Sequence, residues 1–217
     1  MSLSQQLRQN AMPYWQQYVE HPFVQQLATG TLAKASFQHY LIQDYHYLLH
    51  YSRALALAMY KCDNFRDLAE IETSLQAILA EVQLHIAYCQ EWQISPAQLE
   101  QTAESPACVA YTRYVLDCGM QGTLAELYAA ILPCTLGYAE IGKWIADSGV
   151  SPSNNPYQSW IDMYASAEFQ QAAVSMQTFF ASLCQSSSAA QQAKLQHIFT
   201  TATRMEIAFW QMGLDRS

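Results

Sequence analysis

Two carboxylates and a thiol stand where helical core stripes ordinarily hold apolar side chains. Asp44 lies in Leu41-Ile42-Gln43-Asp44-Tyr45-His46-Tyr47-Leu48, with aromatic residues one helical turn to either side. An aspartate on such a stripe must be paired, hydrogen-bonded or turned toward a polar pocket. Either it ties a buried tyrosine or backbone group, or it is a pocket carboxylate for an amine or ring nitrogen. Glu206 shares a face with Ala202, Phe209 and Trp210. Desolvation raises a glutamate's pKa and lets it exchange protons near neutrality. The competing expectation is a buried ion pair with Arg53 or Arg113.

The third feature is Leu132-Pro133-Cys134. A proline inside a helix removes one backbone hydrogen bond and crowds the preceding turn. Here it is expected to free the carbonyl of Ala129 and kink the helix, with Cys134 directly after it. Gly137 is expected to make room next to the thiol, and Tyr138 lies on the same face. A cysteine in an apolar helix is more often a small core residue than a nucleophile. Tyrosine is abundant, with fourteen residues. Tyr47, Tyr111, Tyr138 and Tyr164 all have apolar neighbours. Such aromatics are ordinarily core, yet hydroxyls in need of partners also suit a flat, polar-edged ring.

Metal chemistry finds less support. Glu81 and His85 are four apart, as are His46 and His50, whereas His197 and Glu206 are nine apart. A di-iron bundle needs carboxylate–histidine pairs on two helices plus further carboxylates. His85 therefore reads as a core or subunit-contact histidine, and no metal or other cofactor is expected. Phosphate-binding glycine loops and the hydrolase nucleophile elbow are not present.

The elements that must position these groups are helical. Phe37, Tyr40, Leu41, Asp44, Tyr47, Leu48 and Tyr51 form one stripe of a helix over about 35–61. A second runs over about 64–92, with Leu68, Ile71, Leu75, Ile78, Leu79, Val82, His85, Ile86 and Cys89 expected on one face. A turn-rich connection holding Ser95-Pro96 and Ser105-Pro106 follows. Further helices are expected over 107–120, ended by Gly119 and Gly122, and over 124–147, capped by Thr123 and closed by Gly149. A loop at 150–156 is placed to close over a pocket. Helices over 157–165, 168–184 and 189–212 complete one all-α, single-domain chain of seven to nine helices, residues 1–217, without repeats.

Composition agrees. Hydrophobic residues make up 51% of 217, while charged residues make up 13% against roughly 25% in an average globular chain. Twenty-five glutamines fill part of the polar surface. Seven glycines and seven prolines are too few for a loop-rich β fold. A net charge of −8 argues against nucleic acid, which needs Lys and Arg to neutralise phosphates, and against anionic membrane surfaces. Residues 1–20 contain no apolar core of a secretory signal. The uncharged apolar stretch between Glu126 and Glu140 is thirteen residues, short of the ~20 that span a bilayer. A soluble, cytoplasmic protein is expected. No two of the six cysteines form a C-x-x-C pair, and all but Cys134 read as small buried hydrophobes.

Six segments in order resemble the TenA family of thiaminase II-like proteins. They are His21-Pro22-Phe23-Val24, the Gln43–Leu48 segment, Ala110-Tyr111-Thr112, Leu132-Pro133-Cys134, Tyr157-Gln158-x-Trp160-Ile161-Asp162-x-Tyr164 and Glu206-x-x-Phe209-Trp210. The resemblance implies a haem oxygenase-like helical fold without haem, and usually a homotetramer. It implies hydrolysis of 4-amino-5-aminomethyl-2-methylpyrimidine, a breakdown product of thiamin, to the 5-hydroxymethyl compound and ammonia, with thiamin hydrolysis as a lesser activity. By motif, Cys134 matches the nucleophile, Glu206 the acid/base carboxylate and Asp44 the carboxylate at the pyrimidine edge. Tyr47, Tyr111 and Tyr164 match the tyrosines around ring and thiol, and Tyr138 and Phe209 are expected to complete the pocket. A hydroxyl of Tyr111 or Tyr164 is expected to bond the thiolate. Two other classes remain in view: a non-catalytic pyrimidine- or thiamin-binding protein, and a metal- or haem-dependent oxidoreductase on the same fold.

Overall fold

Helix boundaries follow caps and stripes closely in this computed structural model, which describes residues 2–217. Among those residues there are eleven helices and no strand. Three short helices lead, α1 (Leu3–Asn10), α2 (Tyr14–Val19) and α3 (Pro22–Ala28). The long α4 (Lys34–Lys61) and α5 (Phe65–Glu91) pack against each other as a hairpin. Asn64 caps α5 by accepting from the Asp67 N–H at 2.9 Å. The connection beyond it holds a helix not expected from sequence, α6 (Pro96–Gln101), and Gln43 ties its far end by bonding the Ala103 carbonyl and the Ser105 N–H.

Next come α7 (Pro106–Gln121) and α8 (Leu124–Ser148). Gly119 does not end α7 as expected; it lies inside the helix. A Cβ there would come within 2.8 Å of Leu57 and 2.9 Å of Leu127, so glycine allows α7 to press on α4 and α8. The helix stops only at Gly122. Within α8, Pro133 is accommodated in a continuous helix that ends at left-handed Gly149, φ 68°. The chain closes with α9 (Gln158–Ala165), α10 (Ala167–Leu183) and α11 (Ala189–Asp215), the last capped by Ser188.

Eleven helices exceed the seven to nine expected. The extra ones have six to eight residues, about two turns, which is too short to repeat a stripe. At the centre, α8 is packed by α7, α9, α10 and α11, while α4 packs on α5, α7 and α11. The apolar core is one cluster from Leu7 to Met212. By length and composition α8 is apolar enough to cross a bilayer, but 67% of its most apolar window is buried inside the fold. Of the cysteines expected in the core, Cys62 and Cys118 are only partly buried.

Candidate active site

The inward faces of α4, α5, α8 and α9 meet at a small cavity, about 40 Å³, with one residue of α10 at its edge. From α4 come Asp44, Tyr47, Leu48 and Tyr51, from α5 Ile78 and Glu81, from α8 Cys134, Thr135 and Tyr138, from α9 Tyr164, and from α10 Phe169. Larger grooves on the surface contain no cysteine. Five residues expected to act together thus share one wall: Cys134, Asp44, Tyr47, Tyr138 and Tyr164.

The other three expected residues are not on that wall. Glu206 is buried, 2% exposed, and accepts a 2.7 Å hydrogen bond from the Tyr111 hydroxyl. It lies close to Cys134, and each affects the other's proton affinity. The expected ion pair with an arginine does not form. Arg113 grips Glu104 at 2.9 and 2.7 Å, and Arg53 reaches His50. Phe209 supports Tyr47 from behind, with ring centroids 5.7 Å apart. Tyr111 also packs against Tyr47, the rings tilted with centroids 5.1 Å apart, but it donates to the carboxyl rather than to the thiol. Beside the thiol is Tyr47, which draws the thiol's pKa down, although its hydroxyl completes no hydrogen bond.

Burial governs the proton affinities. It raises Glu206 to about 8, and Asp44 adds to the rise, while the Tyr111 hydroxyl opposes it. Burial raises Asp44 to about 7, opposed by Tyr40. It raises Glu81 to about 7, with the charge of Asp44 adding to the effect. Cys134 rises well above an ordinary thiol, first through burial and then through the charge of Glu206. The free site therefore holds a protonated thiol among carboxyls that exchange protons near neutrality.

Local structure fixes these positions. Gly137 makes room for the Tyr18 ring, which lies where its Cβ would be, rather than for the thiol as expected. Tyr18 in turn approaches Glu206 and lowers its pKa. The Tyr40 hydroxyl is 3.3 Å from that of Tyr138 and accepts from Trp160 at 3.2 Å. His85 bonds the Leu41 carbonyl at 2.8 Å through Nε2 and turns Nδ1 toward Asp44 at 3.6 Å. His85 and Glu81, weighed above as metal ligands, are instead neighbours of Asp44. Among the described residues no group of three or more His, Cys, Asp or Glu is placed to hold a metal ion. The 150–156 loop does not line the cavity: Asn155 fastens it to α3 through the Leu27 and Ala28 carbonyls.

Sequence reasoning missed Glu81 as a cavity residue. The signal was its spacing, three after Ile78 and four before His85, both inward residues of α5. Tyr18 and Tyr40 carried no such signal, because their roles depend on contacts distant in sequence.

The structure thus defines an all-helical protein that surrounds a thiol with buried carboxyls and tyrosines. The chain belongs to the TENA/THI-4/PQQC family, which it matches over residues 8–216. It is 36% identical to the aminopyrimidine aminohydrolase of Halalkalibacterium halodurans, across 99% of this chain and 96% of that one. It is 35% identical to the Helicobacter pylori protein of the same name, across 98% and 99%. A crystal structure described as a TenA family transcription regulator from Silicibacter superposes with a TM-score of 0.93 at 38% identity, covering 98% of this chain and 96% of that one.

Proposed function

We propose that the protein is an aminopyrimidine aminohydrolase of thiamin salvage. It converts 4-amino-5-aminomethyl-2-methylpyrimidine and water to the 5-hydroxymethyl pyrimidine and ammonia, with thiamin as a poorer substrate. The observation that carries this reading is a thiol that opens on a cavity lined by carboxyls and tyrosines while a buried carboxyl backs it. The relatives named aminopyrimidine aminohydrolase support the substrate class.

An amine leaves a saturated carbon poorly. Thiolate addition turns the ring into an electron source that expels it. The Cys134 proton passes to ionised Glu206 as sulfur bonds to ring C6. The C5–C6 pair shifts toward N3, which takes a proton from Asp44. The electron-rich ring releases the protonated 5-aminomethyl nitrogen as ammonia, nitrogen taking the bonding pair, and leaves an exocyclic methylene. Water adds there, the electron flow reverses, N3 returns its proton, and sulfur departs with the proton held by Glu206. Each of these proton donors and acceptors works best with a pKa near the operating pH. At about 40 Å³ the cavity requires its rim side chains to shift as a ring enters. The reading includes a cytoplasmic location and a homotetramer. Exposed Tyr60, Phe65 and Leu84 support self-association.

Ammonia release from the aminomethyl pyrimidine tests this, with thiamin in parallel and Cys134→Ser as control. Turnover by the parent and a loss of roughly 10³-fold or more in the variant are expected. Unchanged turnover in Cys134→Ser would remove the covalent route. A protein that binds the pyrimidine tightly without turnover is instead a carrier.

A further inference from the structure

Glu206 and Cys134 account for one proton, and Asp44 for the ring nitrogen. The departing amine and the incoming water still need a partner on the cavity side. Glu206 does not serve, since it does not line the cavity and already accepts from Tyr111. Asp44 lines the cavity but is already given to the ring nitrogen, with His85 and Tyr40 beside it. The remaining carboxyl on the wall is Glu81, which makes no hydrogen bond or ion pair with any described residue and opens on the same space as the thiol. A second observation also points to a ligand there. Tyr47, only 5% exposed, lines the cavity, and its buried hydroxyl has no hydrogen-bond partner. Buried polar groups left unpaired are costly unless something that enters satisfies them.

We propose that Glu81 is a catalytic residue that holds the ammonium of the substrate's 5-aminomethyl group and then accepts the proton of the attacking water. This deepens the function proposed above and rests on it. The protonated amine binds to ionised Glu81 through a charge-assisted hydrogen bond. The C–N bond breaks with its pair going to nitrogen, giving ammonia. As the water oxygen bonds to the methylene, its proton moves to Glu81. Glu81 hands that proton to ammonia, which leaves as ammonium. The raised proton affinity of Glu81, caused by burial and by Asp44, suits this relay. The thiazolium that departs from thiamin offers no N–H, so the holding role is specific to the amine.

The test is Glu81→Gln, an isostere that keeps the volume and removes the charge. With the aminomethyl pyrimidine, kcat/KM should fall about 100-fold, whereas with thiamin it should fall several-fold less, because only the water step is shared. A second measurement uses Cys134→Ser, which cannot turn over, and reads binding by calorimetry. Adding Glu81→Gln should weaken the aminomethyl pyrimidine roughly 10-fold or more and leave the 5-hydroxymethyl pyrimidine within about 2-fold. Equal losses with both substrates, or equal weakening of both ligands, would mean that Glu81 only maintains the fold and would overturn the assignment. No loss with either substrate would overturn it too. If the parent turns over neither substrate, the proposed reaction fails, and the calorimetric comparison still decides whether Glu81 recognises the ammonium.

Discussion

The two sides of Cys134 are built differently. On one side Glu206 is enclosed: Tyr111 donates to it, Tyr18 and the thiol approach it, and no cavity reaches it. On the other side Asp44, Glu81 and Tyr47 face open space, and the Tyr47 hydroxyl has no partner. A carboxyl satisfied by its own protein suits a proton exchanged with a fixed neighbour. Polar groups left unsatisfied suit something that comes and goes. In the proposed reaction, thiol activation falls to the closed side and substrate recognition to the open one.

The closed side gives the larger effects. Glu206→Gln keeps the shape and removes the proton acceptor, so turnover should drop about 10² to 10⁴-fold, read as ammonia release. The same variant has a stability signature. In the folded protein the carboxyl titrates at about 8, against an ordinary value of 4.5. Between those values the native state keeps a proton that the unfolded chain has released. The stabilising contribution is therefore complete below about pH 4.5 and is lost as pH rises toward 8. Each unit of that window is worth about 1.4 kcal/mol. The parent should lose melting temperature from pH 5 to 8, and Glu206→Gln should lose about 10 °C less. Parallel profiles would place Glu206 in a wetter setting than the closed side described here.

Tyr111→Phe sharpens the same contrast. It deletes the 2.7 Å hydrogen bond to Glu206, which favours the ionised carboxyl, so the Glu206 pKa should climb further. Because the proposed reaction needs ionised Glu206 to take the thiol proton, kcat/KM at pH 7 should fall about 10-fold. Its rise with pH should shift to higher values. A fall without that shift would mean that Tyr111 merely supports the Tyr47 ring.

Many of the residues that build the two sides were legible in the sequence, and the reasons differ by residue. Asp44, Cys134 and Glu206 stood out because long helices repeat their stripes, which makes a misplaced polar residue visible. The same length fixed α4, α5, α7, α8, α10 and α11 to within a few residues. The short α1, α2, α3 and α6 offered no repeat. Gly137 was read as space for the thiol because the thiol is its neighbour in sequence. Its true occupant, Tyr18, arrives from α2, and only the folded chain brings the two together. Glu81 was visible as a ligand candidate, yet its partnership with Asp44 depends on the α4–α5 hairpin. The division into a closed and an open side is likewise tertiary: no spacing says which carboxyl the cavity reaches.

The smallest predicted effect isolates the meaning of an unsatisfied hydroxyl. Tyr47 and Tyr128 are both buried, 5% and 1% exposed, and neither hydroxyl has a partner. Tyr47 lines the cavity, whereas Tyr128 packs edge-on to Phe179, ring centroids 4.9 Å apart, away from it. Removing an unpaired buried hydroxyl relieves a desolvation cost, so Tyr128→Phe should leave stability unchanged or raise it by about 1 kcal/mol, with turnover unaltered. Tyr47→Phe should be equally harmless to thermal unfolding but should weaken pyrimidine binding several-fold, because the lost hydroxyl is one the ligand would have satisfied. If both variants bind the pyrimidine like the parent, the orphaned hydroxyl of Tyr47 is a packing compromise like that of Tyr128. Recognition on the open side then falls to its two carboxyls alone.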